Sequence, residues 1–205
     1  MEWYQYLALI SLFICIISLS WHLYRLIRLG LPEDHSKMTG NIPAGIRYSM
    51  TGAMHPRKKE SAYLHLPTYL AGMIYHGGTF LCMLLFLLIL GGFFPDGIYA
   101  KLLAGIACIT GISGLAIFIK RVLNKNLRYL SKPDDFVSNG LVTLFHFLTA
   151  YTIFTGSADA FFFIPVSILL LYLPLGKLKH IVYFFAARYQ LGYFFGRRGI
   201  WPPEK

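Results

Sequence analysis

His76 stands in the stretch LPTYLAGMIYHGGTFLCMLLFLLILGGFF, residues 66–94, which carries no charged side chain. An imidazole in hydrocarbon costs several kcal/mol unless it is bonded, so a histidine at such a position is a candidate functional group. Gly77 and Gly78 follow it and strip side chains from the helix beside the ring, so that something broad and flat can lie close. His146 and His180 also lie in or at the end of apolar stretches. Two imidazoles from different helices, facing each other at one depth of a bundle, are the axial ligands of a b-type haem iron, and that is the chemistry these positions point to.

The remaining histidines are weaker candidates. His65 directly precedes the apolar run in HLPTY, with Pro67 at a helix start where its missing N–H costs nothing. It is read as a helix cap, a partner of a haem propionate, or a residue with no specific task. His22, His35 and His55 fall at the end of the first apolar stretch or in the polar segment after it, where interfacial and solvated roles are expected.

Of the residues, 56% are hydrophobic and 17% aromatic, against 19 Lys and Arg and 9 Asp and Glu, which is too apolar and too poor in charge for a soluble domain. The net charge of +10 would suggest nucleic acid in a soluble protein. Here the basic residues sit between apolar stretches, where they set topology, so no nucleic-acid partner is expected. Cys15, Cys82 and Cys108 all lie inside apolar stretches without CxxC or CxxCH spacing. That pattern argues against c-type haem attachment and against a cysteine-held cluster or zinc on this chain, so any iron–sulfur group belongs to another subunit.

Charge-free windows long enough to cross a bilayer give five spans, near residues 3–24, 68–92, 102–119, 136–155 and 160–180. The first lacks a basic leader and a small-residue cleavage site, and reads as a retained anchor. Pro165 and Pro174 interrupt the fifth. Of the 19 Lys and Arg, only Lys101 falls on the side opposite the rest; Lys59 and Lys205 are counted with the majority. The fold class expected is therefore an all-α integral membrane protein, a five-transmembrane-helix bundle with the N-terminus outside and the C-terminus cytoplasmic. It is read as one domain over residues 1–205, with a cytoplasmic loop at 25–67 that includes a short interfacial helix. A cytoplasmic tail at 181–205 has an aromatic and basic mixture that reads as an amphipathic helix and a docking segment. In this topology His76, early in span two, and His180, the last residue of span five, share the cytoplasmic half. His146 lies nearer mid-membrane and stays open between an alternative ligand, a ligand of a second haem, a residue at a quinone pocket, and a histidine bonded to a backbone carbonyl of a neighbouring helix.

Five spans with an outside N-terminus, a histidine early in span two (IYHGG), and P-x-x-K-x-x-H ending span five before ARYQ resemble the cytochrome b gamma subunit of respiratory nitrate reductase. The wider group includes the membrane subunits of sulfite-reduction-associated and heterodisulfide-reductase-like complexes. Residue matching is confined to IYHGG and LPLGKLKH…RYQ. The resemblance implies that His76 and His180 ligate the haem on the cytoplasmic side. The family's second pair, ten residues after the first histidine and eighteen before the last, falls on Phe86 and Phe162, which cannot ligate iron. The resemblance thus implies one haem b, or a second with His146 recruited to it.

The function expected is a haem b-containing membrane anchor in the inner (cytoplasmic) membrane. It would pass electrons between membrane quinone, menaquinone or ubiquinone, and a cytoplasmic iron–sulfur subunit of a hetero-oligomeric complex, and is not a stand-alone enzyme. Arg47, Arg121, Lys177, Lys179 and Arg188 are candidates for pairing haem propionates. Asp134 and Asp135 begin span four and are read as capping residues at the positive end of a helix dipole. The alternative is a haem-free anchor whose histidines serve a quinone pocket or helix packing. A transporter would require polar residues through several spans and inverted repeats, which the sequence does not display.

Overall fold

The computed structural model describes residues 1–30, 33–58, 62 and 64–203. Lys59 and Lys205, which enter the charge count above, lie outside the described residues. Among those described there is no strand, and the regular elements are helices. They are α1 (Trp3–Arg28), α2 (Ile42–Met50), α3 (Leu66–Leu90), α4 (Gly97–Leu123), α5 (Lys125–Tyr129), α6 (Pro133–Thr155), α7 (Ala160–Tyr172) and α8 (His180–Arg197), with short 3₁₀ turns after α2 and before α8. Among the described residues α1, α3, α4 and α6 are each long and apolar enough to cross a membrane, and α7 with α8 forms an interrupted fifth candidate. The chain is a multi-pass, all-α membrane protein.

The fifth span departs from a continuous helix over residues 160–180. α7 ends at Tyr172 and α8 starts at His180, with a 3₁₀ turn over Lys177–Lys179 between them. Pro174 explains the break, because it has no N–H to donate and its ring collides with the carbonyl four residues back. Pro165, by contrast, is carried inside α7. His180 is thus the first residue of α8, after the break. With 13 residues α7 is about 20 Å long, short of a hydrocarbon core of about 30 Å.

The chain divides into two compact units. The first is Met1–Ile17 with Pro67–Leu178, and the second is Ser18–Leu66 with Lys179–Lys205. In the first, α4 and α6 pack along their length and α7 lies against α6. Pro133 opens α6, Asp135 accepts the Lys132 backbone N–H at 2.9 Å, and Gly156 closes the helix in the left-handed conformation. The capping role read for the acidic pair is thus taken by Asp135. Its carboxylate also pairs with Lys177 and lies 3.5 Å from Arg121, which ties the ends of α4 and α6 to the segment after α7.

The second unit is built on α2 against α8. Asn41 caps α2 by accepting the Ala44 N–H at 3.0 Å. Gly45 of α2 meets Gly192 and Gly196 of α8 so closely that no side chain fits between them. The Ser49 hydroxyl donates to the Arg188 carbonyl at 2.6 Å, and Arg188 donates back to the Ser49 carbonyl. Trp201 closes the tail against Phe195 and Tyr48, with ring centroids at 4.7 and 5.6 Å. The short helix expected in the first loop and the aromatic helix after residue 180 are the two halves of this unit.

Candidate functional site

His76 lies on the exposed side of α3. Its Nδ1 is 2.7 Å from the Gly72 carbonyl, one turn earlier. A carbonyl at that distance holds the hydrogen on Nδ1, leaves the lone pair on Nε2 and fixes the ring against the helix, which is how iron- and zinc-binding imidazoles are oriented. The two glycines near it leave space on the helix, since a Cβ built on Gly72 or Gly77 meets nothing within 4 Å. Gly78 has a different task. A Cβ there would sit 2.3 Å from the Thr110 side chain, so Gly78 lets α3 and α4 approach and does not contribute to that space.

His180 is exposed at the start of α8, and His65 is an exposed turn residue before α3. Both belong to the second unit, whereas His76 belongs to the first. Among the described residues no three His, Cys, Asp or Glu side chains gather to hold a metal ion. The donor chemistry of His76 and the space at Gly72 and Gly77 fit a haem, and a haem so held would supply one-electron chemistry.

His146 is fully buried in the first unit. Its Nδ1 lies 2.8 Å from the Thr110 hydroxyl of α4, and its Nε2 lies 2.9 Å from the Thr79 hydroxyl of α3. Both ring nitrogens are thus engaged by hydroxyls of neighbouring helices. The partners are two threonine hydroxyls, not the backbone carbonyl envisaged from sequence. The Tyr75 ring packs on the imidazole at 5.1 Å, and the Tyr75 hydroxyl reaches the Asn139 carbonyl at 3.1 Å and the Thr143 hydroxyl at 3.0 Å.

Thr79, Thr110, Tyr75 and Thr143 were not singled out by sequence reasoning. Of these only Thr143 carried a signal, in α6, where Thr143, His146, Thr149 and Thr152 recur every three residues and are all buried. Polar side chains of α3, α4 and α6 therefore converge inside the bundle, although each helix taken alone reads as apolar. Further along, Phe86 and Phe162 are buried with ring centroids 6.4 Å apart, and Phe163 packs on both. Aromatic rings fill that part of the interior.

The basic candidates for propionate pairing are distributed. Arg121 and Lys177 are engaged by Asp135, and Arg188 by Ser49. Arg47 lies in α2 and Lys179 ends the 3₁₀ turn before α8. No protein-family model, no curated protein and no solved structure matches the chain.

Proposed function

We propose that this chain is a membrane electron-transfer subunit that holds one haem b between the imidazoles of His76 and His180. In this reading it lies in the cytoplasmic membrane with its N-terminus outside and exchanges electrons between a membrane quinone and a cytoplasmic iron–sulfur subunit. The observation that carries the reading is His76 itself, an imidazole on an apolar membrane helix, oriented through Nδ1 by the Gly72 carbonyl near the space left by Gly72 and Gly77. The basic bias of the loops supports the orientation, and the resemblance in IYHGG and LPLGKLKH supports the choice of His180. A haem so held would supply one-electron chemistry at its iron, while the chain supplies two imidazoles, the carbonyl behind one of them and a low-dielectric surround.

The test is the reduced-minus-oxidised spectrum of the purified full chain. Wild type is expected to show b-type bands with one haem per chain, lost in His76→Ala and in His180→Ala and kept in His146→Ala. A haem-to-protein ratio near two, or loss of the bands in His146→Ala but not in His180→Ala, overturns the ligand assignment. A haem-free anchor is the second reading. It is favoured by the same space at Gly72 and Gly77, which a helix of another subunit would cover as well as a flat ligand would. Wild-type protein without b-type bands would establish it.

A further inference from the structure

The hydrogen count around His146 does not balance for a neutral ring. The Thr79 hydroxyl, 2.9 Å from Nε2, also donates to the Tyr75 carbonyl at 2.9 Å. The Thr110 hydroxyl, 2.8 Å from Nδ1, also donates to the Ala107 carbonyl at 3.0 Å. Each hydroxyl owns one hydrogen and a neutral imidazole owns one N–H, so three hydrogens serve four contacts. A protonated ring brings the fourth, and with it every contact is a complete hydrogen bond. The neutral ring is served only if one threonine turns its hydrogen from the carbonyl to the imidazole, which a hydroxyl rotation accomplishes.

The site therefore accepts both protonation states in hydrogen-bonding terms, but among the described residues no charged side chain beside it balances a positive charge. From α3, Tyr75 and Cys82 face this part of the interior. The charged residues of α4, Lys101, Lys120 and Arg121, stand toward its ends, and α7 has none. Among the described residues no acidic or basic side chain bonds to the ring. A buried cation without a counter-charge is costly, so a proton would stay only while a negative charge is added nearby. Tyr75 is in ring contact with both imidazoles, at 5.1 Å to His146 and 6.4 Å to His76. One aromatic ring therefore separates the protonatable histidine from the proposed iron ligand.

We propose that His146 takes up a proton when an electron reaches the iron at His76 and releases it when the electron leaves. This rests on the haem reading above. The electron comes from a quinol or a reduced iron–sulfur partner and converts ferric to ferrous iron. A hydronium O–H bond breaks, an N–H bond forms on His146, and the charge of the interior is unchanged by the pair of events. Tyr75, Thr143 and Asn139 are hydrogen-bonded to one another on the side of the ring toward the start of α6. Thr79 and Thr110 are positioning residues that supply the two hydrogen-bond acceptors the protonated ring requires.

The experiment is a redox titration of the b-type bands in the purified full chain at a series of pH values, with dithionite as reductant. In wild type the reduction equilibrium is expected to shift toward tenfold for each pH unit, or 59 mV for a one-electron couple, with reduction favoured at lower pH. His146→Gln, which keeps an amide between the two hydroxyls, is expected to hold haem and to shift less than twofold per unit. Thr110→Val should flatten the dependence and Thr110→Ser should restore it, which a merely structural role for the threonine would not produce. A flat wild-type titration, or a His146→Gln slope equal to wild type with the bands present, overturns proton uptake at His146 and leaves the haem reading standing. Absence of b-type bands in wild type overturns both.

Discussion

Gly45 and Gly196 meet backbone to backbone: a Cβ added to Gly45 would lie 2.4 Å from the Cα of Gly196. Gly192, one turn earlier in α8, has the same relation to Ile46, whose Cα would lie 2.5 Å from an added Cβ. Two small residues four apart let helix backbones approach, and here they seat the tail helix on a helix of the first loop. Because the obstructing atoms are main chain, they cannot rotate away. Gly45→Ala should therefore separate α2 from α8, at an overpacking cost of about 1–3 kcal/mol. Hydrogen exchange in detergent should show faster exchange of the α2 and α8 amides in this variant. Gly140→Ala, at a position with nothing within 4 Å, should leave exchange unchanged. Unaltered α2 exchange in Gly45→Ala would refute the packing described.

The tail has a second fastening that responds to acid. Asp34 accepts from the Ser36 hydroxyl at 2.7 Å and the Ser36 N–H at 3.0 Å, and pairs with Arg198 at 2.9 Å. The Ser36 hydroxyl and N–H, followed by Arg198, hold the Asp34 carboxyl down to about 2. A carboxyl depressed in the folded state adds stability that is complete above its unfolded value, near 3.9, and is lost as pH falls through the folded one. The tail should thus hold at pH 5 and loosen progressively between about pH 4 and pH 2. Trp201, packed against Phe195 and Tyr48, reports this through its fluorescence. Asp34→Asn should remove the transition in that window, and an acid transition of the same size in Asp34→Asn would assign it to another group.

The long helices were legible because apolar length is a local property: α1, α3, α4 and α6 all lie where charge-free windows place them. The break before His180 was signalled by Pro174, yet a proline inside a span is tolerated often enough, as Pro165 shows in α7, that its presence alone does not fix where a helix ends. The polar interior was hidden for a different reason. Thr79 and Thr110 are single hydroxyls in otherwise apolar helices, and only the packing of α3 and α4 on α6 brings them to the two nitrogens of His146. The two glycines after His76 illustrate the same limit. Adjacent in sequence, they stand about 100° apart around α3, Gly77 in open space and Gly78 against Thr110, and the sequence does not say which side is packed.

Asp135 joins a helix cap to an ion cluster, and substitutions can separate the two contributions. Its carboxylate accepts the Lys132 N–H at 2.9 Å and pairs with Lys177 and Arg121 while only 8% exposed. Asp135→Asn keeps an acceptor for the cap and removes the charge, whereas Asp135→Ala removes both. Lys177 is 58% exposed and Arg121 29%, so solvent screens the pairs and the charge contributes about 1–2 kcal/mol, below the value for a fully buried pair. The cap adds about 1 kcal/mol. Each kcal/mol lowers the midpoint of a chain this size by about 2–4 °C. Thermal unfolding in detergent should therefore rank wild type above Asp135→Asn and Asp135→Asn above Asp135→Ala. Equal midpoints for the two variants would mean that the cap bond contributes nothing. An Asp135→Asn midpoint equal to wild type would mean that the ion cluster does not hold α4, α6 and the segment after α7 together.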